Sequence, residues 1–315
     1  MSAENLGEAW SAERLAERLA MARAVQQEMP LDKVVARAAK LFQLQVAEAE
    51  DEFLFPAMKQ ATRPRIFGGQ VIAQALVAAN RTVEPGKTAH SLHAYFLRGG
   101  DETKPLHFRV HRDFDGRTFA NRRVVVRQDG KVIFNLTASF HTPEQGPEHQ
   151  AEMPKDILPP EECEDFIEQM AADPNVDDAQ LQRSARLRPF DLRTSRPPST
   201  ERGNGYYQWY RMAAPIADDG DLHRAFLAFL SDMGLLTASL LPHGLTWSTP
   251  DLFSTSLDHA MWFHSDVRLD DWVVFVMDSD WTGRARGINR GRVFTRDGRL
   301  VASVVQEGLL RMGAR

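Results

Sequence analysis

The chain contains two copies of one sequence pattern, and this internal repeat constrains the fold more than any other feature. Residues 121–140, NRRVVVRQDGKVIFNLTASF, align without a gap with residues 289–308, NRGRVFTRDGRLVASVVQEG. The alignment pairs Asn121 with Asn289 and Arg122 with Arg290. Each segment has two runs with strand character joined by Asp-Gly, a strong β-hairpin signal. The repeat therefore predicts a chain built from two related units.

The segments upstream of each hairpin also occur in the same order. Each copy has an aromatic-rich strand candidate, then an apolar helical segment, then a second strand candidate. In the first copy these are 42–55, 68–83 and 90–96, and in the second copy they are 205–216, 229–241 and 255–263. Two copies of such a unit suit antiparallel sheets that each wrap around a long apolar helix. The predicted fold class is α+β.

These patterns divide the chain into four parts. We expect an N-terminal helical extension over 1–30, a first unit over 31–142 and a second unit over 205–315. Residues 143–204 are rich in proline and acidic residues, and they are interpreted as a linker with a short helix.

The N-terminal extension has the pattern of one amphipathic helix. In SAERLAERLAMARAVQQEM (11–29), Ser11 is a plausible N-cap and Pro30 ends the segment. Such a helix is either docked on the core or free to bind a partner. We favour docking.

Composition excludes several function classes. The net charge is −5, so no strong basic field exists to hold nucleic acid. The longest apolar stretch, 225–241, is short for a membrane span and contains Asp232, so we expect a buried helix of a soluble core.

The single cysteine, Cys163, has acidic neighbours that raise a thiol pKa, and it is predicted to be an inert surface residue. One cysteine permits no intrachain disulfide, which favours a cytoplasmic protein.

One polar residue is out of place in the second hairpin. On a strand, Gln306 shares a face with Ala302, Val304 and Leu310, whereas its counterpart in the first copy is Ala138. Burying an unpaired amide costs roughly 1–3 kcal/mol, so Gln306 must have partners.

Two more polar residues of the second copy lie in apolar surroundings. Asp232 interrupts the apolar stretch 225–241, and Ser256 lies on the strand that follows. Together with Gln306 they suggest a site that holds a water molecule, with Asp232 as the base. Alternatively, Asp232 is a helix cap, Ser256 a satisfied strand serine and Gln306 a partner of an edge backbone.

Several motifs together resemble one known family, the acyl-CoA thioesterase II family. The resemblance covers roughly residues 31–312. It rests on RIFGGQVIAQAL (65–76), SLHAYFLRGGD (91–101), DGRTFANRRV (115–124), FLSDMGLL (229–236), LDHAMWFH (257–264) and LVASVVQEG (300–308).

The resemblance implies a tandem, or double, hotdog fold and a function. Members hydrolyse fatty acyl-CoA thioesters to a free acid and CoA, with no metal or cofactor and no covalent intermediate. Their catalytic Asp, Thr or Ser, and Gln fall on Asp232, Ser256 and Gln306 of this chain. Many bacterial members have Thr where this chain has Ser256, which keeps the hydroxyl. Hotdog proteins commonly form homo-oligomers, so a dimer or tetramer is expected.

Alternative sites and functions are weaker. A Ser256–Asp258–His259 triad is disfavoured because, on a regular strand, His259 points away from Ser256. Phe67-Gly68-Gly69-Gln70 either aims backbone N–H groups at a ligand or permits close helix–sheet packing. The histidine pairs His107/His111 and His259/His264 have no third metal ligand. A hotdog hydratase or dehydratase, or a non-catalytic acyl-CoA sensor, are the other function classes.

Overall fold

Antiparallel strands form one sheet that runs through the whole molecule. The computed structural model describes residues 11–58, 65–186, 188–195 and 206–313. The strands are β1 (Gln45–Val46), β2 (Glu52–Phe55), β3 (Thr88–Phe96), β4 (Leu106–Asp115), β5 (Phe119–Gln128), β6 (Lys131–His141), β7 (Glu164–Asp165), β8 (Phe190–Thr194), β9 (Tyr206–Met212), β10 (Leu252–Ser256), β11 (Asp258–Phe263), β12 (Val273–Gly283), β13 (Arg286–Thr295) and β14 (Leu300–Met312). The helices are α1 (Ala12–Gln27), α2 (Leu31–Ala39), α3 (Gly68–Asn80), α4 (Phe166–Ala172), α5 (Asp178–Arg186), α6 (Gly220–Leu230) and α7 (Thr237–Leu240).

The strand order confirms the tandem hotdog fold. The sheet runs β1-β2-β4-β5-β6-β3 in the first half and β11-β14-β13-β12-β9-β8-β7 in the second, with β10 also paired to β14. The two halves therefore repeat one order, β2-β4-β5-β6-β3 and β9-β12-β13-β14-β11. They meet where β3 pairs with β11, with Leu92 opposite Met261, so the two predicted sheets are continuous.

The two central helices, α3 and α6, pack against each other beneath the sheet. They run antiparallel. Asp232, just after the end of α6, contacts Gly69 at the start of α3, and Asn80 at the end of α3 bonds Asp221 at the start of α6. Most of α3 is buried, and one hydrophobic core spans both halves.

The second central helix is shorter than its apolar stretch predicts. The expected helix over 225–241 ends at Leu230 and resumes only at Thr237. Gly234 in the break has a φ of +78°, a left-handed conformation that glycine adopts without strain. A Cβ there would lie 2.5 Å from Gln208 Oε1. Asp232 consequently lies in a turn and not within a helix.

The gapless repeat alignment is wrong by one residue in the first strand of each hairpin. Arg122 lies opposite Ala138, whereas Asn289 lies opposite Gln306, so Arg122 corresponds to Asn289 and not to Arg290. The cause is turn length. The first hairpin turns through two residues, 129–130, and the second through three, 296–298. Ala138 and Gln306 do correspond, as predicted.

The N-terminal helix is docked. Ser11 caps α1 by accepting a hydrogen bond from the Arg14 N–H. The buried Arg18 of α1 forms an ion pair of 3.1 Å with Asp178 of α5 and donates to the Val176 carbonyl. The apolar side of α1 packs on α4 and α5.

The segment 143–204 contributes more structure than one short helix. It contains α4 and α5, and its strands β7 and β8 extend the sheet beside β9. Residues 196–205, around the end of this segment, lie outside the described residues. The four boundaries proposed from the sequence remain predictions.

The prediction of a surface Cys163 is wrong. The residue is 6% exposed and packs against Trp209, Val274 and Phe294. The prediction missed this packing because the segment before β7 folds over the outer side of the second half. Burial, with a smaller contribution from Glu162, raises the pKa of the thiol. Across the described residues no helix is long and apolar enough to cross a membrane.

Candidate active site

The three predicted site residues meet at one carboxylate. Asp232 Oδ1 accepts a hydrogen bond of 3.1 Å from the Ser256 hydroxyl and one of 2.8 Å from Gln306 Nε2. Gln306 Nε2 also donates to Ser256 Oγ at 2.5 Å. The three side chains come from positions far apart in the sequence, and the fold brings them into one closed triangle of contacts.

Gln306 bonds the site through its side chain and its neighbour on the sheet through its backbone. Gln306 is fully buried in β14, and its side chain bonds the site and not an edge backbone. Opposite it on β13, the buried Asn289 donates to the backbone carbonyl of Gln306 and accepts from the Ser239 N–H of α7. Asn289 therefore connects this strand to the helix that follows Asp232.

An irregularity between β10 and β11 sets the direction of Ser256. Ser256 lies opposite Gly308, but Ala260 lies opposite Val305, so Leu257 and Asp258 together face Glu307. Such a bulge shifts the alternation of side chains by one residue. Ser256 and His259 therefore both point inward, to the turn after α6, where they contact Asp232 and Ser231. The expectation that His259 points away from Ser256 is wrong for this reason.

The first half contributes a backbone donor to the site. The Gly69 N–H, in the first turn of α3, donates to Asp232 Oδ2 at 2.9 Å. A Cβ on Gly68 would lie 2.5 Å from Asp232 Oδ2, and one on Gly69 would lie 2.2 Å from the Phe229 carbonyl oxygen. The glycines thus permit close packing of α3 on the end of α6, and this packing aims the Gly69 N–H at the Asp232 carboxylate. An N–H group aimed at a ligand stays a prediction.

The environment of Asp232 shifts its pKa toward neutral pH. Burial raises the pKa of Asp232 to about 6, and the hydrogen bonds from Gln306, Ser256 and Gly69 act against that rise. Asp232 and Ser256 are half-buried, while Gln306 is fully buried. A small molecule can therefore reach the carboxylate and the hydroxyl while the amide supports them from within.

Two clefts flank the start of α3. One, of about 510 Å³, contains Ser256 and Gly68 in its wall and has Arg65 and Arg98 at its exposed rim. The other, of about 450 Å³, lies on the side of Phe67, and most of its lining is apolar. Its apolar wall consists of Val34, Ala38, Leu41, Phe55, Met58, Phe67 and Phe229.

The other candidates from the sequence do not form a site. Ser256 donates to Asp232, Asp258 accepts from the Glu307 N–H, and His259 Nε2 contacts Ser231 Oγ, so the three do not form a relay. Throughout the described ranges, no cluster of three His, Cys, Asp or Glu could hold a metal. Sequence reasoning considered the Gly69 N–H as a donor to a ligand and not to Asp232, and it missed Asn289 and His259 as neighbours of the site. The bulge that turns His259 inward leaves no clear sequence signal.

Sequence comparisons identify similar proteins over most of the chain. Residues 189–309 match the family described as acyl-CoA thioesterase, and residues 56–141 match the acyl-CoA thioesterase N-terminal domain. Acyl-coenzyme A thioesterase 8 of Rattus norvegicus is 38% identical over 81% of this chain and 82% of its own length. Acyl-CoA thioesterase 2 of Haemophilus influenzae is 31% identical over 86% of this chain and 96% of its own.

Solved structures give the same result. The crystal structure of an acyl-CoA thioesterase II, TesB2, from Mycobacterium marinum is similar with a TM-score of 0.73 and 34% identity. The similarity covers 87% of this chain and 98% of that one. A tesB protein of Mycobacterium avium subs paratuberculosis has a TM-score of 0.72 at 29% identity, over 90% of this chain and all of its own.

Proposed function

The chain belongs to the acyl-CoA thioesterase family, and on that premise we propose that it hydrolyses medium- to long-chain fatty acyl-CoA through a water molecule held by Asp232, Ser256 and Gln306. Thioester hydrolysis is the activity of this enzyme. The residues that perform it and the length of the acyl chain are our proposal. The observation that carries it is the triangle of contacts at Asp232 Oδ1.

The proposed reaction needs one base and no covalent intermediate. Asp232 takes a proton from the water as the water oxygen attacks the thioester carbonyl carbon. The C–S bond then breaks, and the proton passes to the CoA sulfur, which gives a free acid and CoA. Ser256 and Gln306 fix the direction of the carboxylate and help to place the water. General-base catalysis of this kind contributes about 10²–10⁴-fold.

The charges around the clefts support an orientation for the substrate. The exposed Arg65 and Arg98 lie at the rim of the Ser256 cleft, where they suit the phosphates of CoA. The cleft lined by Phe55, Met58 and Phe229 suits an acyl chain because its wall is apolar. The thioester would then lie at the start of α3, between the two clefts and beside Asp232.

Measured release of CoA from decanoyl-CoA and palmitoyl-CoA tests the catalytic proposal. We expect Asp232→Asn to lower kcat at least 100-fold with KM within about threefold, because the base is lost and the binding clefts remain. Asp278→Asn is the matched control, since Asp278 pairs with Arg290 on the surface. Full turnover by Asp232→Asn would overturn the proposal. Release of no CoA by the parent protein would indicate a sensor.

The substrate orientation has its own test. Arg98→Ala should raise KM for decanoyl-CoA about 3–10-fold, but leave KM unchanged for decanoyl-N-acetylcysteamine, which has no phosphate. Arg296→Ala is the control, because the exposed Arg296 pairs with Glu161 at the hairpin turn of the second half and is not among the residues that line this cleft. An equal change for both substrates would contradict a phosphate contact.

Chain length is tested by filling the apolar cleft. Met58→Trp should shift the preferred substrate in a C4–C18 acyl-CoA series toward shorter chains, because the larger side chain occupies the wall of that cleft. An unchanged preference would place the acyl chain elsewhere.

We further propose a cytoplasmic homo-oligomer. The single cysteine suits a reducing compartment. Tyr95 and Leu97, at the end of β3, are 59% and 48% exposed, and a contact between subunits would cover such side chains. Light scattering of the purified protein should give the mass of a dimer or tetramer, and a monomer mass would refute the assembly.

A further inference from the structure

His259 and Gln306 form a buried polar pair across two strands. The register between β11 and β14 places Ala260 opposite Val305. The same register extended by one residue puts His259 opposite Gln306. Both side chains point inward and are at most 1% exposed. Opposite residues in an antiparallel pair have Cβ atoms about 5 Å apart, so their side chains are neighbours.

Each member of the pair has one polar atom without a partner among the residues that the structure describes. These atoms are His259 Nδ1 and Gln306 Oε1, and both are buried. The other ends are occupied, since Gln306 Nε2 donates to Asp232 and Ser256, and His259 Nε2 lies 2.9 Å from Ser231 Oγ. A buried polar atom left unpaired is costly, and here a donor and an acceptor would satisfy each other.

The first half of the molecule provides a natural comparison. The pair that corresponds to His259 and Gln306 is Leu92 and Ala138, which lie opposite each other in β3 and β6. Both are apolar and fully buried. The two positions are therefore polar together in the second half and apolar together in the first. This joint difference indicates that the histidine and the amide act as a pair.

We infer that His259 is a positioning residue: its Nδ1–H donates to Gln306 Oε1 and so fixes which end of the amide faces Asp232. The inference rests on the proposed function. An amide turned by 180° would aim its oxygen at the Asp232 carboxylate, and two acceptors repel each other. The donor from His259 opposes that turn, and it keeps both Nε2 hydrogens on Asp232 and Ser256.

Ser231 sets the position of the imidazole proton. Its single hydroxyl hydrogen can go to His259 Nε2 or to the Ala228 carbonyl, which lies 2.8 Å from Ser231 Oγ. If it went to Ala228, Nε2 would carry the imidazole proton and the bare Nδ1 would face Gln306 Oε1, acceptor against acceptor. Donation to Nε2 leaves Nδ1–H free for the amide, so this tautomer pairs the Ser231 hydroxyl, both ring nitrogens and Gln306 Oε1.

The imidazole is neutral at working pH, as this arrangement requires. Burial lowers the pKa of His259 to about 4. The Gln306 side chain acts in the opposite direction, as an acceptor beside the ring does.

The tautomer can be measured directly in the full-length parent protein. Long-range ¹H–¹⁵N NMR of histidine-labelled protein distinguishes Nδ1–H from Nε2–H imidazoles, and the signal of His259 is the one missing from His259→Asn. We expect Nδ1–H for His259. An Nε2–H tautomer would overturn the inference whether or not the enzyme is active.

Kinetics provide the second test. His259→Leu should lower kcat for decanoyl-CoA about 10–100-fold with KM within twofold, and His259→Asn should recover part of the loss because its amide N–H lies near the position of Nδ1. Ser231→Ala should give a smaller loss than His259→Leu. His264→Leu is the matched control, since His264 contacts Ser303 on the exposed side of the sheet, and it should leave kcat unchanged.

A double variant separates positioning from general stability. If His259 acts through Gln306, then His259→Leu should not lower kcat further in a Gln306→Ala protein. Additive losses would refute the inference even though the protein is a thioesterase. If the parent protein released no CoA, the proposed function would fail, while the tautomer result would still stand on its own.

Discussion

At the scale of single residues, two opposing effects act on one carboxylate. Burial raises the pKa of Asp232 to about 6, and three hydrogen bonds limit the rise. A carboxylate in water would be a much weaker base, whereas a fully buried one without donors would stay protonated at neutral pH. The balance leaves Asp232 ionised at neutral pH and more basic than a carboxylate in water.

This balance predicts the pH dependence of turnover. Below about pH 6 Asp232 becomes protonated and can no longer act as the base that we propose, so kcat should fall as the pH decreases. Gln306 lowers the pKa of Asp232, so Gln306→Ala should move this acid limb to higher pH. Initial rates with saturating decanoyl-CoA between pH 4.5 and 8.5 provide the measurement. An acid limb at the same pH in the variant would mean that the amide does not stabilise the carboxylate.

Sequence reasoning at this scale reached Asp232, Ser256 and Gln306 because each is a polar residue in an apolar pattern. The same reasoning placed His259 on the wrong side of its strand. The error arose from Leu257, which shares one opposing residue with Asp258 and shifts the alternation that follows. Such a bulge is fixed by pairing with β14, so the residues of the strand itself do not predict it.

At the scale of elements, the close approach of α3 to the end of α6 assembles the site. Two glycines at the start of α3 permit it, and the break in α6 at Gly234 turns Asp232 toward the N–H of Gly69. The helical pattern predicted both helices. The break was missed because leucine and alanine continue through it at helical spacing, and one glycine is a weak signal for a helix end.

Glycine substitutions at matched positions test this packing. Gly69→Ala should lower the free energy of unfolding by about 3 kcal/mol and reduce kcat, because the new Cβ would lie 2.2 Å from a backbone oxygen of Phe229. Gly220→Ala, at the start of α6, meets no atom within 4 Å and should be neutral or stabilising by up to about 1 kcal/mol. Urea denaturation of both variants measures the difference. Equal stabilities would contradict the close contact.

At the scale of the whole molecule, the repeat predicted two units but not their continuous sheet. The pairing of β3 with β11 depends on two strands far apart in sequence, and neither strand alone specifies its partner. The helices outside the repeat add a smaller cluster in which α1 packs on α4 and α5. Its ion pair joins Arg18 of α1 to Asp178 of α5, whereas Asp232 bonds residues of α3, β10 and β14.

This cluster should affect stability without affecting catalysis. Arg18→Met should lower the free energy of unfolding by about 2–3 kcal/mol, because the buried guanidinium bonds Asp178 and the Val176 carbonyl. Water reaches part of Asp178, and this limits the destabilisation caused by leaving its carboxylate unpaired. Arg23→Met, on the same helix, should change little, since the Arg23 ion pair is exposed. Thermal unfolding and kcat of both variants provide the test. A loss of turnover in folded Arg18→Met would link the cluster to the site.

The end of α6 packs on the start of α3, and at the opposite end of the two helices the end of α3 packs on the start of α6. The residues at these two equivalent places differ. At the end of α3, Asn80 bonds Asp221, and Arg122 fills the position that corresponds to Asn289. Leu92 and Ala138 replace the imidazole and the carboxamide. The two ends are thus equivalent positions of the repeat, and one of them holds the carboxylate, hydroxyl and amide that we propose as the hydrolytic groups. The stoichiometry of a tight-binding inhibitor should accordingly be one per polypeptide, in whatever assembly the polypeptides form.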